Sequence, residues 1–96
     1  MEHPDVAKTC DEIGQVFQKQ GKFKEALEQF ERALSIKRKL GPDHPAVAAT
    51  LENMAIVYGE LGEEVKDKEL YAEAYGIKVK ILGEDHPEVV DMVPFL

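Results

Sequence analysis

Three histidines, each followed by proline, are the first residues that could carry chemistry: His3-Pro4, His44-Pro45 and His86-Pro87. Imidazole is the commonest metal ligand in proteins, and Asp43 and Asp85 precede two of the three, so a row of metal sites is one reading. The spacing argues against it. The steps are 41 and 42 residues, and stacked helical units of that size would hold the histidines roughly 10 Å apart, too far to share one ion. Proline after histidine reads more simply as a helix start, because its missing N–H would have no partner there anyway. The one cysteine, Cys10, excludes an internal disulfide and a cysteine-based zinc site, and fits a reducing compartment. It lies on an apolar helical face, where cysteine behaves as a small hydrophobe. No nucleophile, base and acid form a set, no glycine-rich phosphate loop occurs, and the carboxylates are spread along solvated faces. No catalytic, cofactor-binding or metal residue is assigned, and neither an enzyme nor a cofactor is expected.

Composition narrows the partners. Apolar residues make up 44% and charged residues 32%, the balance of a folded domain. The net charge is −7, and basic residues never cluster beyond Lys37-Arg38-Lys39, so nucleic acid would be repelled. No apolar run approaches the roughly 18 residues of a membrane helix, and Met1-Glu2-His3-Pro4 does not resemble a signal peptide. The expectation is a cytoplasmic protein with no membrane partner.

The elements that position these residues follow from an internal repeat. At a shift of 41, Val6, Ala7, Thr9, Val16, Gly21, Glu28, Ala33, Ile36, Lys37 and Lys39 recur as Val47, Ala48, Thr50, Val57, Gly62, Glu69, Ala74, Ile77, Lys78 and Lys80. At a shift of 42, Leu40-Gly41, Asp43 and Val47 recur as Leu82-Gly83, Asp85 and Val89. The chain therefore divides into one domain, 1–96, with units at 3–43 and 44–85 and a partial third at 86–96. Each unit reads as two helices. Val6, Cys10, Ile13 and Phe17 recur at spacings of three and four, as do Phe23, Ala26, Leu27, Phe30, Ala33 and Leu34. Gly21 and Gly41 close them. Either Asp43 or His44 caps the next helix. Helices are predicted at about 4–20, 23–40, 45–61, 66–82 and 87–93, with no strand.

Cys10-x2-Ile13-Gly14-x2-Phe17, then Ala26-x3-Phe30 and Ala33, resembles the tetratricopeptide repeat in spacing, with Cys10 where that family prefers Trp. Leu51-x2-Met54-Ala55-x2-Tyr58, with Tyr71 and Ala74, is the second copy. The period near 42 and the linkers Leu-Gly-Pro-Asp-His-Pro and Leu-Gly-Glu-Asp-His-Pro are similar to the longer subtype of kinesin light chains. The resemblance implies an all-α, right-handed solenoid whose first helices line a concave face, and a scaffold that binds a peptide or protein there. Residues placed on that face are Lys8, Asp11, Glu12 and Gln15, with Ala49, Glu52, Asn53, Ile56 and Glu60. Asn53 best matches the family's peptide-backbone ligand. Asp11 and Gln15 stand where chaperone-tail binders carry Lys and Asn, so that activity is not expected. The acidic groove favours a basic partner.

Two departures bear on this reading. Glu64, Asp67 and Lys68 replace Phe23, Ala26 and Leu27. A buried, unpartnered Asp would cost a few kcal/mol, so either the fourth helix starts near Lys68, or its first turn faces water while Val65 and Leu70 partly repack. The array is also short, since such arrays generally need about three units and a polar cap. Val89, Val90, Val93, Phe95 and Leu96 would then form an open apolar end. Self-association into a homo-oligomer, through that end or by helix exchange, is the alternative function.

Overall fold

The computed structural model describes residues 4–96. His3 lies outside them, and with it the first His-Pro helix start. The described residues form two antiparallel helical pairs and a short tail. The elements are α1 (Pro4–Lys19), α2 (Phe23–Arg38), α3 (Pro45–Glu60), α4 (Glu64–Leu82) and α5 (Pro87–Val90), followed by a 3-10 turn at Val93–Phe95, with no strand among the described residues.

Each pair turns on a glycine in left-handed backbone, Gly21 at φ 77° and Gly62 at φ 82°. At the first turn the Lys22 N–H donates to the Phe17 carbonyl at 2.8 Å and the Gly21 N–H to that of Gln18 at 3.0 Å. This double closure requires a residue that tolerates positive φ between the helix end and the next element. Glu63 repeats it on Tyr58 at 2.9 Å, with Gly62 on Gly59 at 3.0 Å.

The cap before α3 is His44, not Asp43: its Nδ1 accepts from the Ala46 N–H at 3.1 Å. His86 does the same for Glu88 at 3.2 Å. The proline that follows each histidine needs no hydrogen-bond partner, so the imidazole serves the next orphan donor.

Packing within a pair depends on pairing small residues with large ones. Phe30 is fully buried, and its ring lies against the bare Cα of Gly14. Ala26, Phe30 and Leu34 of α2 join Val47, Leu51, Met54, Ala55 and Val57 of α3 and Leu70, Ala74 and Ile77 of α4 in one core. Cys10 packs with Ala7, Ala33 and Ile36 in a smaller cluster. It is a core residue.

Helix α4 starts at Glu64, earlier than the expected 66 or the late start near Lys68. Its first turn faces water, with Val65 74% exposed, while Leu70 is buried. Asp67 is half-buried, and its carboxylate occupies the space over Gly59, where a Cβ would meet Oδ2 at 2.8 Å. The equivalent positions in the first pair are Gln18 and Ala26.

Candidate functional site

The exposed sides of α1 and α3 are tied together at two levels. At the middle of α1 and in the first half of α3, Asp11, Lys37 and Thr50 form a closed triad. The Lys37 ammonium donates to the Asp11 carboxylate and, at 2.9 Å, to the Thr50 hydroxyl. That hydroxyl lies 3.1 and 3.2 Å from the two Asp11 oxygens and donates to the carboxylate. Near the end of both helices, Gln18 Nε2 donates to Glu60 Oε1 at 2.5 Å. Three helices thus meet on Asp11, which fixes how the second pair sits on the first.

The triad changes the expected site. Asp11 is buried at 9% exposure and its oxygens are engaged. It braces α1 against α2 and α3. Lys8, Glu12, Gln15, Ala49, Ile56 and Glu60 are exposed, while Glu52 and Asn53 are half-buried. Glu52 pairs with Lys78 at 3.1 Å. That pair stands 41 residues after Asp11 and Lys37, so the second unit repeats the first unit's ion pair.

Beside Ala49 and Glu52 the surface deepens into a cleft of about 290 Å³, lined by Pro45, Ala49, Glu52, Lys78, Ile81, Leu82 and Glu88. It is open, with apolar walls from α3 and the end of α4, the Glu88 carboxylate and the Glu52–Lys78 ion pair. Only Ala49 and Glu52 were placed on the binding face from sequence. Lys78, Ile81, Leu82 and Glu88 come from two further elements, and no periodicity within a single helix marks them. Among the described residues, no three His, Cys, Asp or Glu side chains converge to hold a metal ion. His44 and His86 use Nδ1 as cap acceptors.

The tail also departs from expectation. Val89 is fully buried and Met92 joins the core, so Val89 is no part of an open end. The predicted helix over 87–93 stops at Val90, and the 3-10 turn containing Pro94 follows. That turn brings Phe95 edge-on to Tyr71, with ring centroids 6.3 Å apart. Val90, Val93, Phe95 and Leu96 remain exposed. The tail folds back over α4, burying Val89 of α5 and Met92 just beyond it. Tyr71 in turn has its phenol pKa raised, through burial first and then through the nearby charges of Glu52 and Asp67.

No helix among the described residues is long and apolar enough to cross a membrane. Two tetratricopeptide repeat models match the chain, one over residues 2–66 and one over 47–88. No curated protein matches it. Among solved structures it is similar to a Podosopora anserina protein described as a kinesin light chain with nearly identical TPR-like repeats. The TM-score is 0.78 and the identity 29%, over 96% of this chain and 44% of that one. The chain thus spans less than half the length of this relative. Repeats of this kind generally mediate contacts between proteins and are not catalytic. With an all-helical solenoid, two matching repeat models and a linker of the kinesin-light-chain kind, the chain belongs to the tetratricopeptide repeat family.

Proposed function

We propose that this chain is a non-catalytic, cytoplasmic scaffold module, with repeats at 3–43 and 44–85, that holds an extended peptide along the α1–α3 face. The observation that carries this reading is the 290 Å³ cleft at the end of that face. Its walls, Pro45, Ala49, Ile81 and Leu82, suit the methylene stem of a Lys or Arg side chain, and Glu88 supplies a carboxylate for the cationic head, while Glu52 is engaged by Lys78. Ile56, 54% exposed, offers an apolar contact further along α3. Asn53, half-buried beside it, is the candidate ligand for the peptide backbone. Glu12 and Glu60 extend the acidic character of the face, so a basic peptide is favoured and an acidic one disfavoured.

Fluorescence anisotropy with labelled Lys/Arg-containing and Asp/Glu-containing peptides tests the reading. Basic peptides should bind more tightly, and binding should weaken with salt as exposed charges are screened. Glu88→Lys should weaken the basic peptides about tenfold, a change of about 1.4 kcal/mol. Equal binding of both peptide classes, or indifference to Glu88→Lys, would remove the proposal. Self-association stands as a second reading, favoured by the exposed apolar side chains of Val90, Val93, Phe95 and Leu96.

A further inference from the structure

The two described His-Pro steps both border the cleft, and they differ in one residue that matters to it. Pro45, after His44, forms part of the wall, and Glu88, two residues after His86, supplies the carboxylate. At the shift of 42 that relates the two steps, Glu88 stands where the first has Ala46. Each histidine accepts the N–H of that residue on Nδ1, at 3.1 Å from Ala46 and 3.2 Å from Glu88. An accepting Nδ1 carries no proton, so both rings are neutral with the proton on Nε2. Only His86 has a carboxylate from that residue beside the same nitrogen: Glu88 Oε2 lies 3.9 Å from Nδ1.

Protonation reverses what that nitrogen can do. In imidazolium both ring nitrogens donate. The His86 Nδ1 then faces the Glu88 N–H donor to donor, and the acceptor at hand is the Glu88 carboxylate. The charged groups around His86 are Glu84 and Asp85 in the preceding loop, Glu88 on α5 and Asp91 just after it. In the cleft itself Lys78 of α4 is held by Glu52 of α3. Of these side-chain types, imidazole alone ordinarily changes charge between pH 5 and 8. His86 is half-buried, so its ring exchanges protons with solvent.

We propose that His86 is a proton switch on the cleft. Neutral, it caps α5 and leaves the Glu88 carboxylate to a cationic side chain of the guest. Protonated, it gives up the cap and takes that carboxylate itself. The switch presupposes that the cleft receives a Lys or Arg side chain, as proposed above. Glu52 cannot stand in for Glu88, because Lys78 engages it at 3.1 Å. Proton and peptide therefore compete for one carboxylate, and affinity for basic peptides falls as pH falls through the imidazole range. His44 provides the contrast: protonation costs it the same kind of cap, but Ala46 offers its ring no carboxylate.

Fluorescence anisotropy tests this on the full chain at constant ionic strength, with a histidine-free Lys/Arg peptide carrying a pH-insensitive dye. Affinity should weaken about fivefold between about pH 7.5 and about pH 5.5. His86→Asn keeps a side chain that caps helices well but cannot titrate. It should bind as the wild type does at about pH 7.5 and lose the pH response. His44→Asn should retain that response. In carbon NMR spectra without peptide, the Glu88 carboxyl should shift with the midpoint of the His86 ring, and this step should vanish in His86→Asn. Equal affinity at both pH values overturns the switch and leaves the peptide reading standing. A pH response that survives in His86→Asn, or a Glu88 carboxyl indifferent to the His86 ring, also overturns it. Absence of binding at both pH values overturns the peptide reading, and the switch with it.

Discussion

The ring of Phe30 lies where a side chain on Gly14 would have to be: an added Cβ would meet its Cε1 at 2.7 Å and its Cδ1 and Cζ at 2.9 Å. The closest approach of α1 and α2 is thus set by the absence of one methyl group, and Phe30 fills the space so made. Gly14→Ala should destabilise the fold by about 1–3 kcal/mol through overpacking, although alanine favours helix. Phe30→Ala should cost more, about 3–5 kcal/mol, by leaving a cavity. Chemical denaturation of the two variants checks both values, and an unchanged midpoint for either would contradict this packing.

Glycine within α4 has the opposite consequence. A Cβ on Gly76 would meet nothing within 4 Å, and its φ is not positive. Gly76→Ala should raise stability by about 1 kcal/mol from helix propensity alone. Gly59→Ala by itself would press on the Asp67 carboxylate, 2.8 Å from the new Cβ. Combined with Asp67→Ala, which removes the opposing carboxylate, the same substitution should be tolerated. The pair should then exceed the sum of the single substitutions in a double-mutant cycle, and strict additivity would show that the two sites do not compete for space.

Asp11 binds three helices into one frame, so its removal should be felt beyond α1. Asp11→Ala leaves the Lys37 ammonium, only 12% exposed, with no carboxylate partner. Breaking a largely buried pair from one side costs about 3 kcal/mol or more. The more exposed equivalent, Glu52→Ala, should cost less. Thermal melts rank the two, and a larger loss for Glu52→Ala would reverse the argument.

Tyr71 gives the fold a dependence on alkaline pH. Its pKa is raised above 10.0 by burial and by Glu52 and Asp67, so the folded chain holds the phenolic proton more tightly than the unfolded chain does. That contribution to stability is complete below pH 10.0 and is lost as pH rises through the higher folded value. Tyr71→Phe should flatten the decline in melting temperature above pH 10.0, while an unaltered slope would place its cause elsewhere.

Much of this architecture was legible in the sequence, because helix boundaries depend on local chemistry. Gly21 and Gly62 end helices where predicted, and the His-Pro steps begin α3 and α5. Which of Asp43 and His44 caps α3 was open, since either side chain can accept; the geometry selects the imidazole. The binding face was harder to read because burial there depends on distant partners. Asp11 sits on the expected side of α1 but meets Lys37 and Thr50, 26 and 39 residues away. Val89 follows an apolar pattern that says nothing of whether a neighbour is present, and here α4 covers it. The cleft residues Ile81 and Leu82 end one helix while Glu88 begins another, so only the folded chain brings them together.

The measurement that tests the central claim most directly is an amide chemical-shift titration of the labelled chain with a Lys/Arg-containing peptide. Perturbations should concentrate on Lys8, Glu12, Gln15, Ala49, Asn53, Ile56 and Glu60 and on the cleft at Ile81, Leu82 and Glu88. Perturbations confined to the outer surface of α2, around Glu28, Glu31 and Ser35, would contradict the account.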